Sequence, residues 1–67
     1  MFYGAKLREL RENKGLNTEQ LAFELGLGKS MISFIERNMR TPSADVVERI
    51  SKFFNVKINE LFIDEEA

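Results

Sequence analysis

One stretch constrains this chain more than any other. Asn17 to Arg37, NTEQLAFELGLGKSMISFIER, sets two short apolar periodicities on either side of a glycine-bearing corner. Thr18 to Leu25 carries Leu21, Ala22 and Leu25 at helical spacing, which gives one apolar face. Gly26-Leu27-Gly28 interrupts the pattern, because glycine accepts the left-handed backbone that stops a helix. Lys29 to Arg37 then resumes the period. Counted from Lys29 at ~100° per residue, Lys29, Ser30, Ser33, Phe34 and Arg37 span about 140° of one side. Met31, Ile32, Ile35 and Met39 fall within about 100° on the other.

A first helix, a glycine corner and a second helix with one apolar and one mostly polar face form a helix-turn-helix. In that motif the second helix enters the major groove of DNA. The flanking chain reads as helical too. Phe2 to Lys14 is amphipathic, with Tyr3, Leu7 and Leu10 on one face, and Gly15 ends it. Leu16 packs under the corner, and Asn17 with Gln20 has the spacing of a capping box for the second helix. Asn38 is expected to close the third helix in the left-handed conformation, followed by a Met39-Arg40-Thr41-Pro42 loop. Ser43 caps a fourth helix, Ala44 to Phe54, whose inner face is Val47, Ile50, Ser51 and Phe54. Asn55 ends it, and a short fifth helix runs from Ile58 to Phe62. No strand pattern, repeat or Gly/Ser linker interrupts this series, so the expected fold is an all-α, five-helix domain over residues 1–62 with an acidic tail at 63–67.

Composition excludes several chemistries. With no Cys there is no disulfide framework and no thiolate nucleophile, a composition suited to the reducing cytoplasm. With no His either, a zinc site would have to be built from carboxylates alone, so no metal or other cofactor is expected. A nucleophile–base pair could come only from Ser30 or Ser33 beside Glu36, without a cavity to hold substrate; catalysis is therefore not expected. No apolar run approaches the ~20 residues of a membrane span, and the N-terminus lacks the apolar region of a signal peptide. Net charge is −1, but its distribution is uneven. Residues 1–40 hold seven Lys/Arg against five Glu, a balance of +2, and residues 41–67 hold three against six, a balance of −3. That polarity would orient the chain on a polyanion.

The spaced elements LR–LRE at 7–12, GL at 15–16, LA–LG at 21–26, IS–IER at 32–37, PS at 42–43 and LF at 61–62 together resemble the lambda-repressor-like family of bacterial and phage regulators, the Cro/Xre type. The resemblance implies a five-helix DNA-binding domain acting as a transcriptional regulator, commonly a repressor that binds a palindromic operator as a homodimer. By position, it places Lys29, Ser30, Ser33 and Phe34 at base edges. It places Asn17 and Thr18, at the start of the second helix, and Arg37, Asn38, Arg40 and Thr41, after the third, at phosphates. Arg11 and Glu36 match a pair that forms an internal salt bridge in the family. Four positions depart from the family pattern: Thr18 stands for a Gln, Gly28 for a Ser or Thr cap, Phe34 for a polar reader and Asn38 for a Gly.

Phe34 borders the buried arc of its helix, so core edge and thymine-methyl contact are both open to it. Phe23 lies opposite Leu21 and Leu25, and a fringe contact with the Phe2–Tyr3 segment would explain it. Val46 and Phe53 fall off the core stripe of the fourth helix, with Ile58, Phe62 and Ile63 nearby, a set that fits a homodimer interface. A sequence-specific DNA-binding regulator is the reading the pattern favours. The alternative is a protein-interaction module of the same fold that holds a toxin, an antirepressor or another protein effector.

Overall fold

The computed structural model describes residues 1–63, so of the expected acidic tail only Ile63 is covered, and Asp64 to Ala67 lie outside the described residues. Four α-helices follow one another: α1 (Gly4–Asn13), α2 (Thr18–Leu25), α3 (Lys29–Glu36) and α4 (Ala44–Phe54). Each is stopped by a left-handed residue, Gly15 (φ 73°), Gly26 (φ 70°), Asn38 (φ 57°) and Asn55 (φ 56°). The starts are equally local. Asn17 Oδ1 accepts from Gln20 N at 2.7 Å while Gln20 Oε1 accepts from Asn17 N at 2.8 Å, a closed capping box. Ser43 Oγ accepts from Val46 N at 3.3 Å at the head of α4.

Fully buried side chains come from every element: Leu7, Leu21, Ile32, Ile35, Ile50 and Leu61. Each contributes about 1.5–3 kcal/mol by leaving water. Around them α3 packs on α1 and α2, and α4 packs on α2 and the C-terminal segment. Among the described residues, no helix is long and apolar enough to cross a membrane.

Several expectations need correction. The fifth helix is a single 3-10 turn, Ile58–Leu61, too short to complete α-helical hydrogen bonding. Phe2 is not helical. It forms an isolated antiparallel bridge with Phe62, with Tyr3 N donating to Leu61 O at 2.8 Å and Ile63 N to Met1 O at 2.9 Å. The helix therefore starts at Gly4, which leaves Phe2 in the core and turns Tyr3 outward. Met39 lies beyond the end of α3, where the left-handed turn at Asn38 takes it off the buried arc, and it is 65% exposed. Only Gly26 of the corner glycines is left-handed; Gly28 has an extended backbone and Leu27 packs on the core. Phe23 is 83% exposed, so the contact proposed for it with the Phe2–Tyr3 segment does not form.

Gly4 is required for a different reason from the left-handed glycines. It presses against the C-terminal end of α3, and a Cβ there would collide with the carbonyl oxygens of Ile35 and Glu36 and with Asn38 Oδ1. Two of those atoms are backbone, so relief requires the helices to part. Gly4→Ala is expected to destabilise the domain by about 1–3 kcal/mol. Gly28→Ser, at an open N-cap with nothing nearby, should gain a few tenths of a kcal/mol. Chemical denaturation of both variants checks this; an unchanged midpoint for Gly4→Ala would refute the close helix approach.

Candidate nucleic-acid interface

The apolar side of α3 is fixed by Ile32 and Ile35, both fully buried, so its other side must face outward. Lys29 and Ser30 are exposed there, Ser33 is half-buried and Phe34 is 37% exposed. Arg37, which caps α3, carries its guanidinium over the Phe34 ring, 5.6 Å from the centroid, and its Nε donates to Ser33 O at 3.4 Å. Thus the five side chains placed together by the wheel share one accessible surface. Gly28 offers no side-chain acceptor, so the first backbone N–H groups of α3 remain open at its N-terminus.

The residues expected to grip phosphate are less uniform. Arg40 and Thr41 are exposed in the loop, and Thr18 is half-buried at the head of α2. Asn17 has its side-chain oxygen engaged in the capping box. Asn38 is committed inward: Nδ2 donates to Phe2 O and Oδ1 accepts from Gly4 N, each at 2.8 Å. Its amide ties the end of α3 to the start of α1 and is not available to a ligand.

Arg11 and Glu36 meet as a two-pronged pair. Nε donates to Oε2 at 2.6 Å, Nη2 to Oε1 at 3.1 Å, and the remaining Nη1 to Leu16 O at 2.8 Å. The side chains are only 11% and 6% exposed, which lowers screening and makes each partner costly to strand. The hydrogen bonds that the Arg11 guanidinium donates to Glu36 hold it above its ordinary pKa, and burial offsets this in part. A raised folded-state value means that the stability this group contributes is complete below its unfolded value and fades only as pH climbs through the folded one. That window is strongly alkaline.

Arg49 was not singled out by sequence. Its Nη1 donates to Leu25 O at 2.9 Å and its Nη2 lies 2.7 Å from Asp45 Oδ2, so α4 caps the last turn of α2 beside the corner. The four-residue spacing of Asp45 and Arg49 could have signalled the ion pair, but nothing in the sequence indicates the Leu25 contact.

The expected dimer residues separate into two groups. Val46 and Phe53 are half-buried and pack on the core; Phe53 meets Phe54 edge-on at 4.9 Å and lies under Lys14 Nζ at 5.5 Å. Ile58, Phe62 and Ile63 are exposed. Ile58 and Phe62 join Pro42, Ala44, Val47 and Glu48 around an apolar groove.

Residues 7–61 match the family described as helix-turn-helix. The chain belongs to the helix-turn-helix family. Over 65 residues it is 36% identical to the cryptic phage CTXphi transcriptional repressor RstR of Vibrio cholerae, covering 97% of this chain and 59% of that protein's length. It is similar to the restriction-modification controller protein C.AhdI from Aeromonas hydrophila, with a TM-score of 0.79, 39% identity, and 88% and 89% of the two chains covered. It is also similar to SinR, a master regulator for biofilm formation solved in complex with DNA, with a TM-score of 0.78, 34% identity and 87% and 94% covered. The chain thus spans about three fifths of the length of the curated repressor it matches.

Removing Arg11 would leave Glu36 charged and nearly buried at the junction of three elements. Arg11→Ala is expected to cost about 3–5 kcal/mol, enough to unfold a domain of this size. Urea denaturation followed by circular dichroism checks it, and a midpoint at wild type would sink the idea.

Proposed function

We propose that the protein binds duplex DNA as a sequence-specific transcriptional regulator in the cytoplasm, laying α3 in the major groove. The observation that carries this reading is the division of α3: Ile32 and Ile35 are sealed in the core while Lys29, Ser30, Ser33 and Phe34 share the accessible side. Membership of the helix-turn-helix family and likeness to a regulator solved with DNA support it. Lys29, at the head of α3, can donate to guanine O6 and N7. Ser30 and Ser33 can donate or accept and so refine the choice of base. Arg40, Thr41 and the head of α2 at Thr18 contact phosphates, which set position without specifying sequence.

The regulator acts as a homodimer on a two-fold operator in this reading. Ile58, Phe62 and Ile63 offer an exposed apolar face, and a second copy seated there would remove it from water. A two-fold contact of that kind would set two reading helices ~34 Å apart, one turn of DNA. Val46 and Phe53 pack on the core and are left out of this exposed face. Sedimentation should show a dimer at micromolar concentration that Ile58→Glu dissociates while the helical spectrum stays unchanged. A clean monomer at ~100 μM, where even weak pairs form, would count against it.

Two substitutions separate base reading from phosphate contact. On a site obtained by selection from random duplexes, Lys29→Ala is expected to cost ~1–3 kcal/mol and to relax preference at one base pair. Arg40→Ala should weaken all sequences alike and reduce the salt slope by ~1. Fluorescence anisotropy at two salt concentrations measures both. Absence of salt-dependent binding at ~50 mM salt to every duplex in the pool would overturn the reading.

A further inference from the structure

The Arg37 guanidinium is expected from sequence to hold a phosphate, yet it sits over the Phe34 ring, on the side of α3 that carries Lys29 and Ser33. Its Nε is engaged with Ser33 O, and among the described residues Nη1 and Nη2 have no hydrogen-bond or ion-pair partner. A guanidinium placed in this way keeps a planar pair of donors suited to the O6 and N7 of guanine. The ring beside it is 37% exposed and is the one large apolar group on the reading side of α3. The 5.6 Å between guanidinium and ring centroid matches neighbouring base edges, which rise ~3.4 Å per step and are displaced further by twist. The apolar group that a base presents in the major groove is the 5-methyl of a pyrimidine.

We infer that Phe34 and Arg37 act as one unit that reads a 5-methylpyrimidine followed by guanine, the ring covering the methyl and the guanidinium bonding the guanine. This rests on the DNA-binding reading above and gives that site its specificity. Thymine and 5-methylcytosine present the same methyl, so TpG and methylated CpG are equivalent to the unit. Phe34 thereby gains a reason to stand at a solvent-facing position where a polar side chain would be more soluble. The ring also holds Arg37 in place before DNA arrives, so little side-chain freedom is lost on binding.

The test alters the DNA first, which leaves the protein's folding untouched. Thymines of the selected duplex are replaced one at a time by deoxyuridine, and binding of the full chain is measured by anisotropy. At one pyrimidine 5′ to a guanine in each half-site, loss of the methyl should weaken binding about fourfold, the weight of one CH₂-sized group withdrawn from water. Cytosine in that place should bind as weakly as deoxyuridine, and 5-methylcytosine should restore the affinity. Phe34→Ala should bind the methylated and unmethylated duplexes equally. Arg37→Lys keeps the charge but not the paired donors, so it should lose roughly tenfold on the selected site with its salt slope unchanged. A phosphate contact would survive that exchange. A flat methyl scan on a site that is still bound selectively overturns this unit and leaves the regulator reading intact. No DNA binding at all overturns both.

Discussion

The Arg11–Glu36 pair fixes the geometry on which the exposed face of α3 depends. Its three hydrogen bonds run from α1 to α3 and to the carbonyl of Leu16, just ahead of α2. One guanidinium therefore sets the angle between the first and third helices and the point at which the second begins. Apolar packing alone would not select that geometry so sharply, because leucine and isoleucine side chains tolerate small rotations of one helix against another. A buried ion pair in this setting contributes less to net stability than to geometry: its desolvation offsets much of its attraction, but misplacing either partner is severely penalised.

Two further polar side chains complete the frame, and both act on backbone. Asn38 reaches from the end of α3 to Phe2 O and Gly4 N, and Arg49 reaches from α4 to Leu25 O at the end of α2. Each satisfies a main-chain group that secondary structure leaves open, at a place where two elements meet. Glycine would suit the left-handed angle at Asn38, but it could not bond to α1. The close approach at Gly4 and the amide of Asn38 depend on each other: a side chain at position 4 would occupy the space of the oxygen that accepts from its own N–H. Around α3, then, its buried face, its C-terminal end and the corner before it are each held by a separate contact.

Local rules made most of this legible. The four left-handed stops, the capping box at Asn17 and Gln20, and the limits of α2 and α4 depend on residues within a few positions of one another, and they could be read directly. The meeting of Arg11 with Glu36 was legible only through the family resemblance, because their separation of 25 residues leaves no local trace. The misses share that cause. Phe2 heads the amphipathic stretch marked by Tyr3, Leu7 and Leu10, but pairing with Phe62 near the other end of the described chain overrides it. The C-terminal segment has helical composition, yet the same bridge straightens it after one 3-10 turn. Val46 and Phe53 look surplus on a helical wheel because a wheel shows angle and not depth, and a domain of this size covers them partly from the side.

Two phenylalanines stand against the amphipathic pattern, and they differ in physical kind. Phe23 is 83% exposed and, among the described residues, no aromatic or cation contact engages its ring, so it is an isolated apolar side chain of the sort that protein surfaces carry freely. Phe34 is less than half as exposed, faces the same side as Lys29 and holds a guanidinium whose outer donors have no partner among the described residues. Local sequence rules are broken at both positions, and such breaks concentrate where function competes with folding. Only at Phe34 does the violation place chemistry, a methyl-sized apolar contact next to a planar pair of donors, on the face that the buried isoleucines turn outward. The same helix thus has its orientation set by the core, and the one aromatic side chain it carries, Phe34, stands on the side that this orientation turns outward.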